Sequence, residues 1–461
     1  MALERELKFS VAPRAALHVA QALALPARGT RLTSIYFDTA DGELHRARLA
    51  LRLRRDGHQW LQTVKSQTGL ARRGEWEAPA PAKRLALAAL PCAEVLAATG
   101  VDLRALAGRL KPAFETRFTR RARQLSLKEG TVEIALDQGF VFAGRRREPV
   151  LELELELKRG SMQPLLEHAE TLVEPLALKV AFESKAERGY RLARGEALPA
   201  PRKWRTPEFA RDASTGAVMV ELVSAALEQI GANAHCVLHC DDAEYLHQLR
   251  VGMRRLRAAL SAFKPLAQAK GLRRRLRRLA PSLGAARDWD VFLSWLERNT
   301  ASLPVLNAAR ERQKLARRAA RAVLESAAFD LFLLRGLRWS ERKADAKAAP
   351  LPGFATRVLQ RLLERTLKQA RRMDWQSKPE RHALRIRVKR LRYVADALAP
   401  LFAEERAKPY LAALGARLLD ELGGDERLER KLEAQERRLV QALMRDWRAF
   451  EKRRPFWAAR K

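Results

Sequence analysis

The segment "LELELELK", residues 151–158, alternates without interruption. Successive side chains on a strand point to opposite faces, so four leucines share one face and Glu152, Glu154, Glu156 and Lys158 share the other. The leucine face has to leave water. Three carboxylates in line repel one another unless cations lie between them. A chain containing this segment must therefore build a sheet that is covered on its apolar side and supplied with positive charge on its polar side.

The same period of two recurs through the first ~160 residues, in "LALRLRR" (49–55), "WLQTVK" (60–65), "FETRFTRR" (114–121) and "TVEIALD" (131–137). Gly and Pro punctuate the segments at "DG", "EG", "GLARRG" and "FAGRRREP". This pattern predicts an antiparallel sheet or barrel, with one helix over about 162–174 after the last strand. If the strands close into one barrel, their polar faces point either all out or all in.

The N-terminal "ERELK" puts Glu4, Glu6 and Lys8 on one strand face. Alone, such a face reads as solvated. Other strands carry basic rows. Arg52 and Arg54 alternate with leucines, Lys65 ends a strand, Arg73 has the parity of Glu75 and Glu77, and Arg117 shares a face with Glu115. A barrel lined by these residues would hold a divalent cation on hard carboxylate oxygens, Mg²⁺ or Mn²⁺, and a multiply charged anion on its bases. No G-x-x-x-x-G-K-[ST], H-E-x-x-H or G-x-S-x-G motif offers other machinery.

Together with "YFDT" (36–39), "QTVK", "RGEWE", "ETRF" and "SKAERGY" (184–190), these residues resemble the CYTH domain family, the triphosphate tunnel metalloenzymes, over roughly 2–196. The resemblance implies an α+β domain built on an eight-stranded antiparallel β-tunnel, open at both ends, that binds a linear triphosphate. It implies catalytic Glu4, Glu6 and Lys8, and metal ligands Glu4 and Glu6 with glutamates drawn from Glu152, Glu154 and Glu156. Lys8, Arg52, Arg54, Lys65, Arg73, Arg117 and Lys185 would bind triphosphate. Members of the family hydrolyse inorganic triphosphate, thiamine triphosphate or RNA 5′-triphosphates, and some cyclise ATP. No aromatic cluster is assignable to a base or a thiamine ring, so inorganic triphosphate is the expected substrate, hydrolysed to diphosphate and phosphate.

The rest of the chain is different. Residues 1–200 hold 33 Lys+Arg against 24 Asp+Glu, a net +9; the remaining 261 hold 56 against 30, a net +26. That excess points to a polyanionic partner. "ALPAPRKWRTP" (197–207) has three prolines and no periodicity, and "KADAKAAPLPG" (343–353) is a second break. Between and beyond them the pattern is helical. The expected organisation is a tunnel domain (1–196), a linker (197–211), a first helical bundle (212–342), a linker (343–353) and a second helical bundle (354–461), an all-α pair related by duplication.

Each bundle carries one copy of a motif, "HQLRVGMRRLR" (247–257) and "HALRIRVKRLR" (382–392). At 100° per residue His247, Arg250, Arg254 and Arg257 fall at about 0°, 300°, 340° and 280°, a single stripe. His382, Arg385, Lys389 and Arg392 repeat that arc. Leu249, Met253 and Leu256, and in the second copy Leu384 and Leu391, fall beneath and are expected to pack. Seen once, a basic amphipathic helix is a solvated or membrane-surface face; repeated with its histidine, it reads as a phosphate-binding face. With "LGAARDWDVF" (283–292), the two copies resemble the CHAD domain over about 212–461, which implies binding of inorganic polyphosphate. The second bundle departs from the pattern: "LGARLLDELGGDERL" (414–428) lacks the Arg-Asp-x-Asp form. Arg287, Asp288 and Asp290 therefore stand either as contacts or as supports of the stripe.

"HCVLHC" (235–240) suggests zinc, but on one helix its His pair and Cys pair point about 100° apart and cannot share a tetrahedral site. Three cysteines make no disulfide framework. Acids near the N-terminus replace the apolar core of a signal peptide, and no apolar run spans a bilayer. The expectation is a cytoplasmic protein, associated with polyphosphate granules and not with membrane. Its oligomeric state is left open. The alternatives are a polyphosphate-binding or granule-associated protein without turnover and a nucleic-acid-binding protein. The second is disfavoured because aromatics are 7% of residues and no stacking platform is evident.

Overall fold

A computed structural model describes residues 2–56, 59–67, 73–81, 83–207, 209, 213–264, 269–299, 303–341, 351–414, 448, 452 and 455. The chain divides into two units. One comprises Met1–Lys203, Leu227–Arg250 and Arg274–Glu341; the other comprises Trp204–Ala226, Val251–Arg273 and Arg342–Lys461.

In the first unit the strands are β1 (Ala2–Glu4), β2 (Glu6–Ser10), β3 (Thr30–Asp38), β4 (Leu49–Asp56), β5 (Gln59–Gln67), β6 (Arg73–Ala80), β7 (Lys111–Leu127), β8 (Gly130–Ala143), β9 (Arg146–Gly160) and β10 (Lys179–Val180). All pair antiparallel in one sheet of order β1-β6-β5-β4-β3-β7-β8-β9-β2-β10. Among the described residues ten strands stand where eight were expected, for two reasons. The N-terminal strand is split at Arg5, and the two-residue β10 is added at the free edge of β2. The split closes the sheet: β1 pairs with β6, β2 with β9, and the Arg5 carbonyl at the joint accepts from Leu157 N–H at 2.8 Å. Closure removes the long unpaired edges that an open sheet of this size would expose.

The helices of this half are α1 (Ala16–Ala22), α2 (Glu43–Arg46), α3 (Cys92–Thr99), α4 (Leu103–Leu106), α5 (Met162–Val173) and α6 (Lys185–Arg194). They explain which face is which. Leu49, Leu51, Val64, Trp76 and Ala78 of β4–β6 form one buried cluster with Leu90, Cys92, Val95, Leu103 and Leu106 of the segment around α3 and α4. Helix α5 packs on β9 with Leu165, Leu166 and Ala169 fully buried. The apolar faces are thus covered from outside, and the charged faces point in.

The later helices are α7 (Thr215–His239), α8 (Ala243–Ala262), α9 (Lys270–Arg298), α10 (Leu303–Glu325), α11 (Ala327–Glu341), α12 (Leu351–Ala370), α13 (Lys378–Leu398) and α14 (Glu404–Leu414). Helix α12 takes in the last three residues of the expected second break. Its remainder (343–350) and nearly all of 415–461, including the departing "LGARLLDELGGDERL" after Leu414, lie outside the described residues. Leu249, Met253 and Leu256 of α8 and Leu384, Val388 and Leu391 of α13 are buried beneath the two basic stripes. No helix among the described residues is long and apolar enough to cross a membrane.

Candidate functional site

Strand register builds three rows across the inner face. Gln124, Glu133, Glu156 and Glu6 form one; Ala122, Ala135, Glu154 and Lys8 the next; Thr30, Arg120, Asp137, Glu152 and Ser10 the third. Glu6, Glu152 and Glu154 are buried, as are Asp137 and Lys8. Glu6 opposite Glu156 sets like charges side by side, which costs energy unless cations intervene. They do. Lys8 Nζ lies 3.1 Å from Glu6 and 3.4 Å from Glu154, and Lys158 Nζ lies 2.7 Å from Glu156 and 3.7 Å from Glu133.

Lys185 stands at the centre of the acid cluster. A capping box starts α6 at this point: the Ser184 hydroxyl accepts from Glu187 N–H at 3.1 Å, and the Glu187 carboxylate accepts from Ser184 N–H at 2.8 Å. Lys185, the first residue of the helix, then reaches Asp137, Glu152 and Glu154, each at 2.8 Å. Burial would push the Glu154 carboxyl up, but Lys185, Lys8 and Arg120 outweigh it and hold the group well below the carboxylate range. Glu152 is lowered too, with Lys185 and Arg188 outweighing burial. Burial works against a charged Lys185, yet its three carboxylates raise it well above the usual lysine range.

Helix α6 also fills one end of the inner face, where the family resemblance implied an opening. Tyr190 packs with Tyr36, Phe114, Val141 and Val150, which point inward by register. Tyr36 and Phe114 stack at 4.4 Å, and Tyr190 meets Phe114 edge-on at 4.9 Å. An apolar patch of this size is covered rather than left wet.

Facing strands carry the basic side. Arg52 pairs with Glu75 at 3.8 Å, Lys65 with Glu75 at 3.3 Å and Arg54 with Glu77 at 3.3 Å, all partly exposed. Glu4 and Arg73 are opposed in the β1–β6 register, but their side chains lie outside the described residues. Arg117 is not brought to this face. It points outward with 61% of its side chain exposed, forked onto Glu115 at 3.0 and 2.8 Å and stacked over Phe142. Its inward counterpart is Arg120, which sequence reasoning passed over. Arg120 binds Asp137 through two hydrogen bonds of 2.8 and 2.7 Å and also reaches Glu154.

The acids offer only carboxylate oxygens, a donor set that suits Mg²⁺ or Mn²⁺. Among the described residues no group of three or more acids, histidines or cysteines is gathered so as to hold a metal ion; lysines and arginines neutralise them instead.

In the second unit Arg254 Nε donates to the Tyr393 hydroxyl at 3.0 Å, which brings the C-terminal part of the first stripe to Tyr393, beside Arg392 of the second. Arg257, His382 and Arg392 are exposed; His247, Arg250, Arg385 and Lys389 are half-buried. Arg250, in the first unit, donates to the Gly284 carbonyl at 2.7 Å and lies 3.3 Å from Asp288. Asp290 has no exposed side chain. It accepts from Gln313 and Arg317 at 2.8 Å each and ties α9 to α10. Arg287 donates to the Ala243 carbonyl at 3.4 Å. The rings of His235 and His239 lie 4.4 Å apart, tilted at 39°, while Cys236 is buried; among the described residues "HCVLHC" gathers no ligand set.

A CYTH domain model matches residues 2–190 and a CHAD domain model residues 221–429. An inorganic triphosphatase of Haemophilus influenzae is 30% identical over 207 residues, an alignment that takes in 42% of this chain and 55% of the relative. The chain thus spans about half the length of that curated relative. The CHAD domain of the plant Ricinus communis shares 30% identity at a TM-score of 0.47, covering 55% of this chain and 90% of that one. A Hippeastrum protein described as an adenylyl cyclase with a dominant triphosphatase activity shares 16% identity at a TM-score of 0.30, covering 43% and 98%. The chain thus carries a CYTH domain over residues 2–190, the stretch that forms the closed sheet, and a CHAD domain over residues 221–429, within its helical half.

Proposed function

We propose that this protein hydrolyses inorganic triphosphate inside the closed sheet and binds inorganic polyphosphate on the stripes of its helical half. The observation that carries the reading is one inner face on which a buried acid cluster (Glu6, Glu152, Glu154, Asp137) meets Lys8, Lys185 and Arg120, with Arg52, Arg54 and Lys65 on the facing strands. Phosphoryl transfer needs placement and charge neutralisation more than covalent help. Lys8, Arg52, Arg54, Lys65, Arg73 and Lys185, joined by Arg120, hold the phosphate oxygens. Glu4 and Glu6, with glutamates of the 152/154/156 row, would hold Mg²⁺ or Mn²⁺, which when bound neutralises phosphate charge. Water attacks the terminal phosphorus, the bridging P–O bond breaks, and diphosphate leaves with the electron pair.

The inner aromatics Tyr36 and Phe114 are engaged with Tyr190, and the inward-facing Phe118 lies under Lys185 and Arg120, so each ring is already occupied where a base would stack. That favours triphosphate over nucleotides. Purified full-length protein with Mg²⁺ or Mn²⁺ should release phosphate from triphosphate faster than from ATP, thiamine triphosphate or long-chain polyphosphate, and Glu6→Gln should abolish release. Triphosphate left intact under these conditions would sink the reading.

One observation favours binding without turnover: Asp137, Glu152 and Glu154 already have cationic partners, Lys185 on all three with Lys8, Arg120 and Arg188 around them. That reading predicts saturable triphosphate binding and no phosphate release in the same experiment.

A further inference from the structure

Strand β10 is only two residues long, too short to hold its place by pairing alone. It nevertheless completes the edge of β2. Lys179 opposes Ser10, Val180 opposes Phe9, and Ala181 N–H donates to the Lys8 carbonyl at 2.8 Å. The anchor that holds β10 comes from the helical half. Asp330 of α11, 3% exposed, accepts from Val180 N–H through Oδ1 at 2.9 Å and from Lys179 Nζ through Oδ2 at 3.0 Å. Lys179 also donates to the Glu325 carbonyl.

The placement of Asp330 is itself fixed. Helix α11 docks on α5 through Arg335 to Glu170 at 2.8 Å, Arg338 to Glu170 at 2.9 Å, Arg338 to Glu167 at 3.1 Å, and Gln163 Nε2 to the Arg338 carbonyl at 2.9 Å. A buried carboxylate is costly unless its oxygens are satisfied. Here both oxygens are used, and both bind the same two-residue strand.

We propose that Asp330 is a positioning residue for the tunnel site: contributed by the CHAD-matching part of the chain, it fixes β10 and, through β10, the stretch of β2 that carries Lys8. The proposal rests on the tunnel being a triphosphate site. The tunnel of this chain is then not self-sufficient, and the helical half helps to set its affinity for triphosphate.

The test uses the full chain. Asp330→Ala removes both acceptors and should raise KM for triphosphate about tenfold with kcat little changed, the effect of losing about 1.4 kcal/mol of hydrogen bonding. Asp330→Asn keeps an oxygen for Val180 N–H and should recover most of that loss. Arg335→Ala removes one of the four contacts that dock α11 on α5 and leaves both Asp330 acceptors in place, so it should raise KM far less than Asp330→Ala. Amide exchange in 8–10 and 179–181 should accelerate in the alanine variant alone. If that variant does not fold, Lys179→Met, which alters a partly exposed side chain, should raise KM about threefold, a smaller loss of the same kind. Unchanged KM in Asp330→Ala, or in Lys179→Met where the alanine variant fails, overturns the proposal. If the wild-type protein does not turn over triphosphate, that is a failure of the functional reading instead; the exchange rates then decide about Asp330, and unchanged rates overturn its role.

Discussion

The Nε of Arg254 on α8 donates to the hydroxyl of Tyr393 on α13 at 3.0 Å. The bond uses the Nε edge of the guanidinium on Tyr393, which neighbours Arg392 of the second basic stripe. On the helical wheel Tyr393 falls at about 20°, just past His382 at the edge of the second stripe's arc. The two copies of the motif therefore meet at this pair.

Removing the charge and removing the bond should differ in effect. Arg254→Ala should weaken polyphosphate binding about tenfold and lower the slope of log affinity against log salt by about one phosphate contact. Tyr393→Phe should weaken binding only about threefold, with the slope unchanged, because it frees the guanidinium without discharging it. Titration of each variant with long-chain polyphosphate at several salt concentrations checks both numbers. An identical slope for Arg254→Ala would remove Arg254 from the binding surface.

Arg120 and Arg117 stand three residues apart on β7 and point to opposite faces. Arg120→Ala strips Asp137 and Glu154 of a partner at the inner face, so kcat/KM for triphosphate should fall at least about tenfold, the scale of a charged hydrogen bond. Arg117→Ala removes an exposed pair with Glu115 and should cost under about 1 kcal/mol of stability with activity unchanged. Steady-state kinetics of the two variants side by side decide the assignment, and equal losses would refute it.

The misplacement of Arg117 shows where alternation stops being informative. Period two marked β4, β5, β7, β8 and β9 correctly, because each has one face that must leave water. It does not say which face of a strand is inner when both carry charge, and "FETRFTRR" has Glu115 and Arg117 on one side and Arg120 on the other. Pairing decides that. Phe114 opposes Tyr36, which puts Thr116, Phe118 and Arg120 inward, and the partner that confirms it, Asp137, comes from another strand. The amphipathic arcs of α8 and α13 were legible for the opposite reason: a helix sets its faces by itself, and Leu249, Leu256, Leu384 and Leu391 are buried as the wheel requires. The cover over β4–β6 and the seat of α6 were not legible, since both depend on contacts between segments distant in sequence.

Gly189 tests the seat of α6. In the interior of a helix alanine normally stabilises by about 0.5–1 kcal/mol relative to glycine. A Cβ at Gly189, however, would lie 2.0 Å from Cε2 of Phe114, a ring held between Tyr36 and Tyr190. Overpacking of this kind costs about 1–3 kcal/mol, so the clash wins. Gly189→Ala should lower Tm and, by tilting α6, move Lys185 from its carboxylates and raise KM. Calorimetry together with kinetics checks this. A variant with raised Tm and unchanged KM would show that α6 is not seated on the inner face.

The Lys185 cluster predicts how stability follows pH. Glu152 and Glu154 are held below their ordinary value of 4.5, so the folded protein binds their protons less readily than the unfolded chain. Their stabilisation is complete above pH 4.5 and drains away as pH falls through the lowered values. Lys185 is held above its ordinary 10.5, so its contribution is complete below pH 10.5 and is lost only as pH rises through the raised value. From these groups stability should be flat between 4.5 and 10.5, with a steep acid limb. Lys185→Ala leaves three buried carboxylates short of their shared cation and should cost about 3–5 kcal/mol at neutral pH. It should also flatten the acid limb, because carboxylates less depressed in the fold lose less on protonation. Denaturant midpoints of both proteins between pH 3 and 8 give the comparison. An acid limb as steep in the variant as in the wild type would mean that acid unfolding is governed elsewhere in the molecule.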